Sequence, residues 1–383
     1  MNYKKGTCIE MTEILIQENK EKKQIALVEN GKLIEYYEDD EKANRREGNI
    51  YIGIVKDIIK GMQSAFIDIG TEKNSFIHLK DILPKIDETK GKREENIDIA
   101  EVIKQNQKIL VQVKKDSNEK KGARVSTHIN LPSKYIVLMP NTDIITVSQK
   151  IEDEKEQERL IKLVKDNLDD GNGAIIRTSA KGKEKEIIED IKHIQNKWNK
   201  IIQTSIDPKQ NKANLLYKSE DIVEKMLMDL TDEKVEVKKG NNIFQKYEID
   251  KQVEKVQNRK IWLKCGGFIT IDKTEALTAI DVNTGKYTGT RDLQQTILKV
   301  NKEATIEIAK QLRLRDIGGI IIIDYIDMKS KEDRNIIEKL LKDELKKDRT
   351  KTQVEGFTKL DLMEMTRKHI CSHKDNETYG DSN

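Results

Sequence analysis

The fold of this chain is decided by two short apolar runs that each end in an aspartate, Ala276-Leu277-Thr278-Ala279-Ile280-Asp281 and Ile320-Ile321-Ile322-Ile323-Asp324. Short runs of this kind, rich in β-branched residues, are typical of buried strands. Between them, apolar residues recur at the spacing of a helix that is buried along one side. These residues are Leu293, Ile297, Val300, Ala304, Ile308 and Leu312. A strand, a crossover helix and a second strand predict a βαβ-like unit whose two strands are parallel and adjacent.

The aspartates at the ends of these two strands form a candidate metal site. Ligands bind at the carboxyl edge of an open α/β sheet, and parallel pairing would bring Asp281 and Asp324 together at that edge. Neighbouring carboxylates need a compensating cation, and Mg²⁺ prefers such oxygen ligands together with phosphate oxygens. The alternative is an ordinary turn after a strand, because Asp281-Val282-Asn283-Thr284-Gly285 is rich in turn-forming residues. Spacing alone leaves both interpretations open.

The segment from about 48 to 121 predicts a small β-barrel. Four short β-rich runs, punctuated by glycines, cover 50–55, 64–69, 75–79 and 108–113. Phe66 and Phe76 lie within two of these runs, and several lysines are close to them in sequence. An OB-type barrel stacks bases on exposed aromatic rings in a basic groove, whereas packing in the barrel core is the alternative for both phenylalanines.

A third segment, from about 122 to 216, contains a candidate phosphate-binding pair. Arg177 and Thr178 follow a strand-like run and precede Lys181-Gly182-Lys183. A guanidinium and a hydroxyl placed together can hold a phosphate, although a solvated basic turn explains the same residues. Residues 217–260 are polar and mixed, and their pattern predicts no definite elements.

Composition restricts the class of protein. Hydrophobic residues make up 36% of the chain and charged residues another 36%. The longest aliphatic run, Ile320 to Ile323, is far short of the roughly 20 apolar residues of a membrane span. The amino terminus does not resemble a signal peptide, and three widely spaced cysteines are typical of a reducing compartment, so we expect a cytoplasmic protein. Because 71 basic residues nearly cancel 68 acidic ones, any surface that binds nucleic acid must be a local patch.

Two longer stretches resemble the central signature of the bacterial ribonuclease E/G family. The first runs from Gly266 to Asn283, and the second runs from Ile308 to Met328. Shorter matches lie upstream, at 48–51, 61–68 and 138–141. With gaps, the resemblance extends from about Ile14 to Arg367.

The resemblance implies a multidomain α/β architecture. A ribonuclease-H-like subdomain is built from two separate segments, an OB-fold RNA-binding barrel and a 5′-end sensor are inserted into it, and a DNase-I-like catalytic α/β subdomain follows. The corresponding ranges are 1–46 and 217–274 for the ribonuclease-H-like subdomain, 47–121 for the barrel, 122–216 for the sensor and 275–383 for the catalytic subdomain.

The resemblance also implies a role for individual side chains. Asp281 and Asp324 correspond to the residues that hold the catalytic Mg²⁺, and Asn283 to one that positions the scissile phosphate or a water molecule. Two further groups of residues carry the remaining roles, which are RNA binding by Phe66, Phe76 and Lys121, and 5′-phosphate sensing by Arg177 and Thr178.

One departure from the family concerns zinc. The family usually carries a Cys-Pro-x-Cys zinc link between two protomers, whereas this chain continues His369-Ile370-Cys371-Ser372-His373. A single cysteine rarely builds a structural zinc site. The sequence therefore gives no support for a zinc-linked dimer, and it leaves open a homodimer or tetramer of another kind and any metal binding by these three side chains. The long disordered scaffold tail of ribonuclease E is also lacking, so we expect a protein that resembles the shorter ribonuclease G form of the family.

On this resemblance we expect a Mg²⁺-dependent endoribonuclease that takes part in rRNA processing and mRNA decay. It would hydrolyse single-stranded, A/U-rich RNA to 5′-phosphate and 3′-hydroxyl ends, with stimulation by a 5′-monophosphate. Single strands are required because a paired base is not free to stack on a protein surface. The alternatives are a non-catalytic RNA-binding protein and a metal-dependent phosphatase of small molecules. The cellular substrates and any docking to other RNA-decay enzymes stay open.

Overall fold

The computed structural model describes residues 11–18, 22–39, 45–82, 97–117, 121–207, 212–230, 234–285 and 293–370. The chain divides into two compact units. We call Asn44–Asp232 the inserted unit, and we call Met1–Ala43 together with Glu233–Asn383 the outer unit. The outer unit is therefore built from both ends of the chain.

The outer unit begins with three antiparallel strands, β1 (Thr12–Glu18), β2 (Lys23–Glu29) and β3 (Lys32–Asp39). Asn30 and Gly31 form the two-residue turn between β2 and β3, and both have positive φ. Asparagine and glycine tolerate that conformation, which matches the twist of the flanking strands.

The inserted unit begins with a closed five-stranded barrel that is compatible with the OB fold. A short helix, α1 (Ile99–Val102), precedes its fourth strand. The strands are β4 (Ile50–Ile59), β5 (Ser64–Asp68), β6 (Ser75–His78), β7 (Lys108–Lys115) and β8 (Arg124–Ser126). Their pairing runs β4–β5–β6–β8–β7 and returns from β7 to β4. The strand β8 lies just past residue 121, and its three residues are too few to produce a recognisable alternation.

A second sheet of the inserted unit follows the barrel in sequence. Its strands are β9 (Leu131–Pro132), β10 (Ile136–Pro140), β11 (Ile145–Val147) and β12 (Asn172–Ile176). They pair in the order β11-β12-β10-β9, with β11 parallel to β12. Two helices, α2 (Glu154–Lys165) and α3 (Lys185–Ser205), bury their apolar sides against this sheet. The unit continues with β13 (Asn214–Tyr217), which pairs with β4, and α4 (Ile222–Asp229).

The chain then returns to the outer unit through the region that the sequence left without definite elements. The strand β14 (Val235–Lys239) pairs in parallel with β1 and completes a four-stranded sheet. Two short helices follow, α5 (Ile243–Lys246) and α6 (Asp250–Glu254). Residues of α5 and the segment after it pack against this sheet, so segments more than two hundred residues apart form one structure.

The last part of the outer unit is a six-stranded sheet with helices on one face. Its strands are β15 (Lys260–Trp262), β16 (Phe268–Lys273), β17 (Leu277–Asn283), β18 (Gly319–Asp324), β19 (Thr352–Phe357) and β20 (Leu362–Arg367). The predicted βαβ-like unit is confirmed, since β17 and β18 are parallel neighbours joined by α7 (Leu293–Leu314). A second helix, α8 (Lys331–Leu345), starts at an N-cap hydroxyl from Ser330.

The alternation of side chains explains which face the helices cover. Ile280 and Val282 of β17 and Ile321 and Ile323 of β18 are buried in one cluster with apolar residues of α7 and α8. The residues between them point to the other face, which we call the open face and which carries Asp281 and Asp324. Within the described residues, no helix is long and apolar enough to cross a membrane.

A fully buried ion network fixes the far end of this sheet. The Arg367 guanidinium donates to Asp348 at 2.7 Å and to Asp316 at 2.9 Å, and the paired side chains are shielded completely from solvent. Asp316 lies just after α7 and Asp348 just after α8. Burial alone raises the pKa of Asp348, but the charge of Arg367 and its hydrogen bonds hold the pKa below its usual value.

Replacing this arginine should destabilise the chain strongly. In Arg367→Met, two buried carboxylates lose their partner, and we expect the free energy of unfolding to fall by roughly 3–5 kcal/mol. Denaturant unfolding measures this change. The matched control is Lys342→Met, which removes an exposed ion pair with Glu338 within α8 and should cost no more than about 0.5 kcal/mol. Equal losses in the two variants would contradict a structural role for the network.

The same network predicts a pH dependence of stability. Because the folded-state pKa of Asp348 is lowered, its ionised form stabilises the fold above the unfolded value of about 3.9, and this contribution is lost as the pH falls toward the folded pKa. The difference in unfolding free energy between the wild type and Asp348→Asn should therefore be largest near neutrality and shrink below about pH 4. A difference that stays constant across this range would contradict the assignment.

Candidate active site

The structure places the two predicted metal ligands side by side at one edge of the six-stranded sheet. In the parallel register of β17 and β18, Asp281 lies directly opposite Asp324. Neighbouring strands are about 4.8 Å apart, so the two carboxylates leave the sheet as close neighbours. Both side chains are exposed, whereas the preceding Ile280 and Ile323 are almost completely buried. The buried face thus holds the strands while the open face presents the acids.

The two carboxylates place negative charges close together, and no basic side chain among the described residues compensates them. Partial burial, followed by the negative charges of Asp281 and Asp327, raises the pKa of Asp324 above its ordinary value. Asn283 donates a hydrogen bond from Nδ2 to Oδ2 of Asp281 at 2.6 Å, which orients that carboxylate. Among the residues that the structure describes, no lysine or arginine forms an ion pair with Asp281 or Asp324. An external cation is the natural partner of such a pair.

The available donors fit a hard divalent cation with several open coordination positions. Magnesium commonly takes one or two protein carboxylates and fills its other positions with water and phosphate oxygens. Within the described part of the chain, no group of three or more His, Cys, Asp or Glu side chains is arranged to enclose a metal ion. Asp281 and Asp324 would therefore supply two carboxylates to a metal and leave its other coordination positions to water and phosphate oxygens.

The barrel brings the two predicted aromatic residues together. Phe66 on β5 lies opposite Phe76 on β6, and their ring centroids are 6.3 Å apart in an edge-to-face arrangement. Both rings are only partly buried, whereas Ala65, Ile67 and Ile77 beside them in sequence fill the barrel core. The two phenylalanines thus present partly exposed rings on the outside of the barrel.

Two basic residues lie on or just before β8, the strand that pairs with β6 at Phe76. Lys121 is exposed just before β8, and Arg124 on β8 lies opposite Phe76. The Arg124 guanidinium pairs with the Asp81 carboxylate at 2.9 Å and keeps more than half of its side-chain surface exposed. The sequence did not single out Arg124, because its place beside Phe76 depends on the parallel pairing of β6 with β8.

The candidate 5′-phosphate pair lies at an edge of the second sheet of the inserted unit. Arg177 follows β12, and its guanidinium donates to the carbonyl oxygen of Ser133 at 2.8 Å. The hydroxyls of Thr178 and Ser148 are hydrogen-bonded at 3.0 Å. Ser148 comes directly after β11, and since β11 and β12 are parallel, both strands deliver polar groups to the same edge. The sequence missed Ser148 because its pattern gave no sign of this pairing.

A carboxylate already contacts the guanidinium of this group. Asp229, the last residue of α4, forms an ion pair with Arg177, and both side chains are mostly buried. A carboxylate and a phosphate offer similar oxygen acceptors to arginine. A phosphate that binds at Arg177 must therefore share the guanidinium with Asp229 or displace that carboxylate.

Of the three residues that the sequence raised as possible metal ligands, the structure describes only His369. The imidazole Nδ1 of His369 is within 3.0 Å of the backbone oxygen of Asp316, and Gly318 packs closely against its ring. The imidazole thus packs against the turn that follows α7. Cys371 and His373, the other two residues of that sequence motif, lie outside the described residues.

Comparisons with known proteins agree on one family. Residues 130–237 and 231–370 match the Ribonuclease E/G family. The chain is 38% identical to Ribonuclease G of Escherichia coli (strain K12) over 390 residues, covering 93% of this chain and 79% of that protein. It is 37% identical to Ribonuclease G of Haemophilus influenzae, covering 94% of this chain and 80% of that protein. It is 32% identical to Ribonuclease E of Nostoc sp., covering 90% of this chain and 56% of that protein.

The matched region includes every residue that the sequence singled out in the sheet of the paired aspartates. The alignments with the two Ribonuclease G proteins cover most of this chain and most of each of those proteins. This agreement confirms the resemblance inferred from the sequence, and the chain belongs to the ribonuclease E/G family.

Proposed function

We propose that this chain is an endoribonuclease that hydrolyses single-stranded RNA at a Mg²⁺ ion held by Asp281 and Asp324. The names of its relatives support a ribonuclease activity. The observation that carries the proposal is the register of β17 and β18, which aligns two exposed carboxylates at a sheet edge without a basic partner among the described residues. Such a pair suits a metal and a phosphodiester better than a purely structural role.

The side chains at this edge have distinct tasks in the reaction. A bound Mg²⁺ would stabilise the negative charge that develops on the phosphoryl oxygens and favour ionisation of the attacking water. Asp281 and Asp324 would hold the ion at the sheet edge, where the substrate can reach it. Asn283 fixes the orientation of the Asp281 carboxylate. The water oxygen bonds to phosphorus and the bond from phosphorus to the 3′ oxygen breaks. The products are a 5′-phosphate and, after protonation, a 3′-hydroxyl.

The barrel supports a preference for single-stranded RNA, whereas the preference for A/U-rich segments is proposed from the family resemblance alone. Partly exposed rings of Phe66 and Phe76 can stack with unpaired bases, and Lys121 and Arg124 supply positive charge for the backbone. Bases in a duplex are already stacked and paired, so a double-stranded substrate loses these contacts. Such binding fits a role in the processing and decay of cytoplasmic RNA.

The group around Arg177 supports recognition of a 5′-monophosphate. Arg177 and Thr178 follow β12 and Ser148 follows the parallel β11, so the three residues lie at one sheet edge. An incoming 5′-phosphate would exchange the carboxylate contact of Asp229 for a contact of higher negative charge. Stimulation by such an end follows if this exchange favours the productive position of the RNA.

The first test is cleavage of a short, A/U-rich RNA that carries a 5′-monophosphate. With Mg²⁺ the wild type should cut it, and a chelator should stop the reaction. Asp281→Asn and Asp324→Asn should lower kcat roughly a hundredfold or more, because several kcal/mol of charge stabilisation depend on the metal. Gel analysis of the products measures the rate and identifies the new ends.

A neighbouring acid provides the matched control. Asp272 lies on β16, on the same face as Asp281, but its exposed carboxylate pairs with Arg259. Asp272→Asn should therefore cleave at nearly the wild-type rate. RNA that binds with a steep salt dependence but is not cut under any divalent metal would instead identify a non-catalytic RNA-binding protein. Unchanged cleavage in Asp281→Asn would remove that residue from the site.

The second test concerns the 5′ end. Arg177→Ala should reduce the preference for 5′-monophosphate over 5′-hydroxyl RNA about tenfold, as expected when one charge-assisted contact is lost, while the rate on 5′-hydroxyl RNA stays the same. Paired cleavage assays on the two RNAs measure the ratio. Arg159→Ala is the control, because its guanidinium pairs with Glu156 on α2. A ratio that Arg177→Ala leaves unaltered would place the sensor elsewhere.

A further inference from the structure

An exposed aromatic residue lies at the edge of the six-stranded sheet that carries the candidate active site. Trp262 on the edge strand β15 leaves 60% of its surface exposed, although tryptophan is usually mostly buried. Its ring lies 5.3 Å from that of Phe268 on β16, in an edge-to-face arrangement. Ile261, between the two outward-facing residues of β15, packs against the core and fixes the orientation of the strand.

Strand register places this tryptophan in line with the candidate active site. Trp262 lies opposite Phe268, and Phe268 lies opposite Asn283. In the adjacent row, two residues along each strand, Lys260 is followed across the sheet by Thr270, Asp281 and Asp324. Residues two apart on a strand share a face. Trp262 and Phe268 therefore lie on the open face with the two aspartates.

The distance along this row suits a neighbouring nucleotide. Two strand spacings separate β15 from β17, which corresponds to about 10 Å between Trp262 and Asn283. An extended RNA strand with a phosphate at Asp281 and Asp324 can reach the tryptophan with a base close to the scissile bond. Trp262 is too far from the aspartates to contact the scissile phosphate itself.

A lysine holds the two rings and adds positive charge. The Lys260 ammonium lies 4.2 Å from the centroid of the Trp262 ring and 3.6 Å from that of Phe268. These contacts restrain the indole while most of its surface stays exposed. An exposed ring beside a cation combines a stacking surface for a base with an attraction for the phosphate backbone.

We propose that Trp262, supported by Phe268 and Lys260, is a base-stacking platform that holds one nucleotide of single-stranded RNA beside the scissile phosphate. The proposal rests on the proposed function, because the line of the RNA is taken from the paired aspartates. The platform is a binding and positioning element, and it makes no contact with the reacting atoms. Stacking accepts any base, so the platform favours unpaired RNA without selecting a sequence.

Cleavage kinetics provide the first test. Trp262→Ala should raise KM for a short single-stranded RNA about 5- to 150-fold, the range expected when one stacked base loses its ring. Its kcat should stay within about twofold of the wild type, because the metal ligands are untouched. Trp262→Phe keeps an aromatic face and should recover most of the binding. Thermal unfolding of each variant checks that the fold is intact.

A matched control lies on the same face of the sheet. Ile320 on β18 is also an exposed apolar residue, with 51% of its surface accessible, but it is at the opposite end of that strand from Asp324. Ile320→Ala should change KM no more than about twofold. An equal increase in KM for Ile320→Ala and Trp262→Ala would show a general effect of surface hydrophobicity and would overturn the platform.

Intrinsic fluorescence provides a test that does not depend on cleavage. The chain has two tryptophans, and Trp198 on α3 is buried with 6% exposure. Quenching by RNA in the presence of chelator should therefore come from Trp262 and should disappear in Trp262→Phe. An RNA series with one abasic ribose at successive positions should lose the quenching at a single position. Quenching that persists in Trp262→Phe would contradict the proposal.

The outcomes separate the platform from the proposed function. Position-dependent quenching without cleavage would retain the platform and reject the nuclease. Cleavage by the wild type with an unchanged KM in Trp262→Ala would retain the nuclease and reject the platform. If that variant instead changed only the sedimentation of the protein, Trp262 would be a contact between protein copies, and the proposal would be overturned.

Discussion

The structure around the candidate active site depends on the parallel pairing of β17 with β18. Ile280 and Val282 must face the helices, as must Ile321 and Ile323, since these side chains form the centre of the core. A shift by one residue would turn a whole set of apolar side chains out of that core. The register that satisfies the core is also the one that aligns Asp281 with Asp324. Burial of apolar surface on one face therefore sets the positions of the two carboxylates on the other.

The outer unit contains two pairs of aspartates that differ in burial and in their partners. Asp316 and Asp348 are buried, and Arg367 compensates both of them at the far end of the sheet. Asp281 and Asp324 are exposed and lack such a partner among the described residues. The pKa of Asp324 is raised by partial burial and then by the negative charges of Asp281 and Asp327. Buried charges must be paired for the fold to persist. Exposed, uncompensated charges at a strand end are instead available to a ligand, which is why we assign them to function.

The inserted unit uses strand pairing in a similar manner. On the barrel, pairing of β5 with β6 places Phe66 beside Phe76, and pairing of β6 with β8 adds Arg124. In the following sheet, parallel strands deliver Ser148 and Arg177 to one edge. Each arrangement presents groups that suit an unpaired, negatively charged polymer. The surfaces that we propose for RNA binding therefore arise from short strands whose neighbours are fixed by the core.

The sequence by itself determined the βαβ-like unit, the aspartates at its strand ends and the strand-rich barrel segment, because each rests on a local pattern of apolar residues. The strands are continuous or short apolar runs, and the helix is an apolar stripe at helical spacing. It did not reveal that Asp229 contacts Arg177, that Ser148 joins Thr178, or that Trp262 shares a face with Asp281. Those relations depend on which distant strands and helices become neighbours. Local periodicity encodes which side of an element is buried, but the partner against which it packs is decided only when the whole core closes, and that is what the tertiary structure supplied.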